Sequence, residues 1–212
     1  MSATEDVSLA AFLDLVAAKT PAPGGGAVAA TSGALASAIA QMVVAYSVGK
    51  KSLAEHEPEL RESLERLERA RALLLALGEE DAEAYRLVSE LSSKPADDPD
   101  RVARWPGAVA AAVRVPQSVL ATACDLLRLF ERLADRTNRY LASDLAVAAV
   151  LAEATARSAF WNVRVNLPMV EDEAKRAALR DECERMVADA RERTALVEAS
   201  VARLTDPSVA SS

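Results

Sequence analysis

The sequence predicts an all-α fold, an antiparallel helical bundle with one central uncharged helix made of small residues. Three observations carry this. Apolar residues recur at three- and four-residue spacing along almost the whole chain, and no run keeps the period of two that a half-buried strand needs. Aromatic residues make up only 4% of a chain that is 51% hydrophobic, so Ala, Leu and Val must fill the core, a composition suited to closely packed helices. The stretch from Thr20 to Gly49 holds no charged side chain, and a helix uncharged on every side is expected to be buried on every side.

The elements follow in order. Leu9, Phe12, Leu13 and Val16 make a short amphipathic first helix, with Ser8 as N-cap. The second is expected over Ala27 to Val48. The third starts at Pro58, a residue suited to the first helical turn, and runs to about Ser92, where "SSKPADDPD" breaks it. A short helical excursion over Val102 to Arg114 precedes a fourth helix from Pro116 to Asp135. The fifth covers Leu141 to Asn166 and is closed by Pro168, since the residue before proline disfavours helix. The sixth, Glu171 to Leu204, has charges along its whole length and reads as a solvated outer helix. Residues 1–206 form a single domain and 207–212 a flexible tail.

Composition excludes several functions. At 212 residues one domain is the default. A net charge of −7 argues against nucleic-acid binding, which needs basic surface. Cys124 and Cys183 sit within helical patterns and form no CxxC pair, which fits small core residues in a reducing cytoplasm. The acidic N-terminus does not read as a secretory signal. No metal site is expected: the chain has one histidine, His56, and no HxxxH or Cys cluster. The uncharged stretch is long enough to span a membrane. However, Gly, Ala, Ser and Thr dominate it, no aromatic belt flanks it and no second candidate accompanies it. A bundle centre or a subunit interface explains it better.

Polar residues on apolar faces mark candidate sites. In "PAPGGG" the three glycines Gly24, Gly25 and Gly26 enter a helix N-terminus; they could cradle an anion or carbonyl with their N–H groups, or only form a tight turn. In the third helix the apolar stripe Leu60, Leu64, Leu67, Leu74, Leu77 continues through Asp81 to Tyr85, Val88 and Leu91. Asp81 therefore faces inward, where it either ties helices together or acts with a shifted pKa. In the fifth helix Glu153, Arg157 and Arg164 mark the water side by helical angle. Asp144, Ala148, Thr155, Ser158, Asn162 and Asn166 gather opposite. Asp144 is a second inward acid, or a first-turn acid after a Ser143 cap.

In order and spacing, "TPAPGGGAVAA", "GKK", "EDAEAY", "SDLAVAA" and "NVRVNLP" resemble the cyclodeaminase domain of formiminotransferase-cyclodeaminase. They are also similar to the serine-cycle type of methenyltetrahydrofolate cyclohydrolase. The resemblance covers about Leu9 to Leu204; Ala27 departs from it, standing where the family commonly has serine. It implies an all-helical folate enzyme, a homodimer or an assembly of dimers, with no cofactor beyond its tetrahydrofolate substrate, which can carry a polyglutamate tail. The reaction implied is cyclodeamination of 5-formiminotetrahydrofolate to 5,10-methenyltetrahydrofolate and ammonia, or hydrolysis of the methenyl bridge to 10-formyltetrahydrofolate. Both pass through a tetrahedral carbon between N5 and N10, which needs an acid or base and a negative partner for the cationic amidine. Asp81 and Asp144 are the catalytic candidates. Pro23, Gly24 to Gly26, Lys50, Lys51, Tyr85, Ser143, Asn162 and Asn166 are the substrate-binding ones, with the lysines placed for the glutamate tail or simply for water. The competing reading is a non-catalytic folate-binding or structural module that assembles through its small-residue helix.

Overall fold

The computed structural model describes residues 7–205, and among them it contains α-helices and short 3-10 turns but no strand. The tail expected over 207–212 lies outside the described residues. Helix α1 (Leu9–Ala17) is capped by Ser8, whose Oγ accepts the Ala11 N–H at 3.2 Å; it packs only lightly on the rest. Helix α2 (Gly25–Ala45) starts two residues before the expected point, because first-turn N–H groups need no intrahelical acceptor and glycine costs little there. It also ends early. The Ser47 hydroxyl donates to the Val43 carbonyl at 2.7 Å, and Gly49, at φ +77°, turns the chain back.

Helix α3 (Glu57–Ser92) carries Pro58 in its first turn as expected. After it, Asp98 caps the next helix by accepting the Asp100 and Arg101 N–H groups, each at 3.0 Å.

The largest departure from the sequence reading follows. The excursion around Val102 to Arg114 and the helix from Pro116 are one helix, α4 (Pro99–Leu133), with Pro106 and Pro116 inside it. An internal proline loses a backbone hydrogen bond and crowds a carbonyl, at roughly 3 kcal/mol. Burial of Pro116 with Val113, Val115, Val119 and Leu120 overrides that penalty. Both α2 and the merged α4 are long and apolar enough to cross a membrane by length and composition, so the expectation of one such segment is corrected to two. Both pack within the bundle.

Helices α5 (Ala142–Asn166) and α6 (Glu173–Thr205) complete the bundle. Helix α2 lies between α3 and α5; α4 packs across α3, α5 and α6 behind them. The core joins Val43, Leu60, Leu67, Leu74, Leu127, Phe130 and Leu145. Cys124 and Cys183 are fully buried in it, and burial pushes each thiol up to about 11. Two azimuths were misjudged. Glu153 faces α6, pairing with Arg157 at 3.6 Å and Arg191 at 3.9 Å, and Ser158 is exposed. Nor is α2 buried all round: Val28, Leu35 and Met42 form an exposed apolar stripe along it.

Candidate active site

A cavity of about 410 Å³ sits at the N-terminal end of α2. Gly24, Gly25 and Gly26 form its floor, Asp81 and Tyr85 of α3 one wall, and Asn162 and Asn166 of α5 the other. The glycines are there for space as well as for turning. A Cβ on Gly26 would overlap the Asp81 carboxyl, and one on Gly25 would meet Asn162 Oδ1 at 3.4 Å. The first-turn N–H groups of α2 lack intrahelical partners and carry the positive end of the helix dipole. The residues before them include a cis peptide bond between Ala22 and Pro23.

Asp81 is the chemically distinctive group. Burial raises its pKa above the ordinary aspartate value, and it makes no ion pair or hydrogen bond among the described residues. No side-chain oxygen in the described bundle is both buried and unpartnered, so its oxygens open into the cavity. The side chain is poised to exchange a proton with a bound molecule. Opposite, Asn162 Nδ2 donates to the Ser158 carbonyl at 3.1 Å, which holds the amide in place. Asn166 Nδ2 donates to the Ala112 carbonyl at 2.7 Å, tying α5 to α4. Each amide keeps its oxygen for a ligand.

The other expected site residues are elsewhere. Pro23 and Ala27 line a neighbouring cavity of about 340 Å³ beneath α1, so a serine at 27 would face away from Asp81. Ser143 and Asp144 begin α5, eighteen residues and about 27 Å from Asn162 at 1.5 Å per residue. Lys50 and Lys51 follow α2 at that same far end, where Ser47 Oγ accepts the Asn138 N–H at 2.8 Å. One chain thus brings together Asp81, Tyr85, Gly24 to Gly26, Asn162 and Asn166, and separates them from Lys50, Lys51, Ser143 and Asp144.

Sequence reasoning missed Val88, Val165, Ala112 and Met169 as lining residues. Val88 was on the Asp81 stripe and could have been found; Ala112 and Met169 enter only through the packing of α4 and the turn after Pro168. Among the described residues no three His, Cys, Asp or Glu side chains gather as a metal-ligand set.

An all-helical bundle that gathers one desolvated carboxyl, two fixed amides and a helix N-terminus around a cavity has the features of a site for a small polar molecule. The chain belongs to the formiminotransferase-cyclodeaminase family, whose model matches residues 8–185. It is 34% identical over 183 residues to a methenyltetrahydrofolate cyclohydrolase from Methylorubrum extorquens, covering 84% of this chain and 88% of that one. It is 31% identical over 193 residues to the formimidoyltransferase-cyclodeaminase of Gallus gallus, covering 89% of this chain but only 36% of that longer protein. The crystal structure of a formiminotetrahydrofolate cyclodeaminase from Thermotoga maritima superposes with a TM-score of 0.85 at 34% identity, over 93% of this chain and 96% of that one.

Proposed function

We propose that the protein is a formiminotetrahydrofolate cyclodeaminase, closing 5-formiminotetrahydrofolate to 5,10-methenyltetrahydrofolate with release of ammonia. The desolvated Asp81 in the cavity at the α2 N-terminus is the observation that carries the reading. In the reaction N10 attacks the formimino carbon and its proton passes to the imino nitrogen, giving a tetrahedral centre bonded to N5, N10 and an amino group. Burial raises the Asp81 pKa and so favours its protonated form, which gives its proton to that amino group, which leaves as ammonia. The carboxylate left behind balances the positive charge of the methenyl amidine. The α2 N–H groups and the amide oxygens of Asn162 and Asn166 orient the pterin and its carbonyl.

The second reading is a methenyltetrahydrofolate cyclohydrolase, favoured by the Methylorubrum relative, 88% of which this chain covers. Water attacks the same carbon in that reaction, so the cavity serves both; supplying each substrate separately decides between them. We further read the protein as cytoplasmic, free of metal and cofactor, and assembled as a homodimer or a set of dimers through the exposed face of α2. The chemistry needs no electron transfer, and the apolar stripe is costly to leave in water. Sedimentation at micromolar concentration is expected to give a dimer or larger species; a monomer contradicts the assembly.

A further inference from the structure

We infer that the p-aminobenzoylglutamate arm of the substrate lies in a groove between α4 and the start of α6, with Trp105 against its aromatic ring and Arg114 and Lys175 on its glutamate carboxylates. This rests on the folate reading. Lys50 and Lys51, the cations expected for the tail, follow α2 at the end far from Asp81, so within one chain they do not reach an arm that leaves the Asp81 cavity. The groove, of about 460 Å³, adjoins that cavity. Met169 lines both, and Ala112 on the cavity side is followed by Val113 on the groove side. A molecule anchored beside Asp81 and longer than the cavity meets the groove across Met169, an unbranched side chain that adapts to what lies against it.

The groove is apolar within and charged at its rim. Val109 and Val113 form the floor, 8% and 5% exposed. Trp105, one turn before Val109, is half-buried and held in place: the Arg101 guanidinium lies 5.0 Å from the ring centroid, and Arg101 donates to the Lys94 carbonyl at 2.6 Å. A fixed indole beside an apolar floor is a surface for a planar ring. Arg114 enters the lining from α4 and Lys175 from α6. Both are exposed, and neither side chain makes an ion pair or hydrogen bond among the described residues.

Two acids share the lining, Glu171 and Asp172, and Asp172 is engaged at the start of α6, its Oδ1 accepting the Lys175 backbone N–H at 3.0 Å. With these acids beside the cations, the groove does not collect anions at large. An anion that also carries a flat apolar ring gains from the floor, from Trp105 and from the cations at once, and a benzamide bearing two carboxylates is of that class. The cavity beneath α1 also adjoins the Asp81 site, through Ala22, but Arg86, the cation in its lining, is already paired with Glu83 at 2.5 Å. Charge therefore favours the α4/α6 side for the arm.

Kinetics with each folate substrate test this. Arg114→Ala and Lys175→Ala are each expected to raise KM about tenfold while kcat holds, because a charge-assisted hydrogen bond made equally in the ground and transition states is lost. Arg114→Lys is expected to recover most of that loss, and the melting temperature to stay unchanged, since both side chains are exposed. An unchanged KM in both alanine variants overturns the groove. A second readout needs no turnover. The chain has two tryptophans, so in a Trp161→Phe background Trp105 alone reports. Titration with p-aminobenzoylglutamate is expected to change its fluorescence saturably, with a midpoint about tenfold higher once Arg114→Ala is added. No saturable change, or the same midpoint with and without Arg114, overturns the inference even in an enzyme that turns over folate. An Arg114-dependent signal in a chain inert to both folate substrates keeps the groove and overturns only the reaction assigned to the cavity.

Discussion

Asp81 links the chemistry to a measurable pH effect. Burial raises its pKa in the folded state, so folding binds a proton more tightly than the unfolded chain does. Its contribution to stability is fully present below the ordinary aspartate value and declines as pH climbs to the raised one. Above the raised value the ionised carboxylate is a cost to the fold. Asp81→Asn is therefore expected to lower turnover at least about a hundredfold while leaving the melting temperature equal or higher; a fall in melting temperature with turnover kept would make Asp81 a structural tie. Gly26→Ala tests the same corner from the backbone side. The added Cβ must push the Asp81 carboxyl aside, and misplacement by about 1 Å is expected to cost about a hundredfold in turnover. Asp81 was legible in the sequence because it breaks an apolar stripe, and Asn162 and Asn166 because they lie one turn apart on an inward side. The separation of Asp81 from Asp144 was not legible from azimuth, since helical period fixes the angle of a side chain but says nothing of which end of the bundle it occupies.

At the scale of elements, helix type and order were readable throughout, and the errors fell where packing outweighs local preference. Pro106 and Pro116 look like boundaries to a propensity argument, yet burial along α4 carries the helix through both. The same packing makes α2 intolerant of volume. A Cβ at Gly33 would lie 3.0 Å from Thr155 Cγ2 and 3.1 Å from Leu74 Cδ1, so Gly33 lets α2 sit between α3 and α5. Gly33→Val is expected to lose about 1–3 kcal/mol, read as a lower midpoint in urea with an unchanged slope. An unchanged midpoint would mean that the three helices are less closely packed than described. The exposed side of α2 was hidden from the sequence for the opposite reason: an uncharged helix reads as buried whether its cover comes from the same chain or from another.

For the whole molecule, the packing of α2 between α3 and α5 sets the cavity that the proposed reaction uses. In the proposed reaction proton transfer and charge balance come from side chains, so dialysis against a strong chelator is expected to leave turnover unchanged; a loss restored by a divalent ion would refute that mechanism. The most direct test of the central claim is to supply 5-formiminotetrahydrofolate and 5,10-methenyltetrahydrofolate separately while following the methenyl chromophore and ammonia. Enzyme-dependent chromophore formation from the formimino substrate, with one ammonia released per turnover, is the expected result. Chromophore loss to 10-formyltetrahydrofolate without any response to the formimino substrate would replace cyclodeaminase by cyclohydrolase, and no response to either would contradict the assignment of this cavity to folate chemistry.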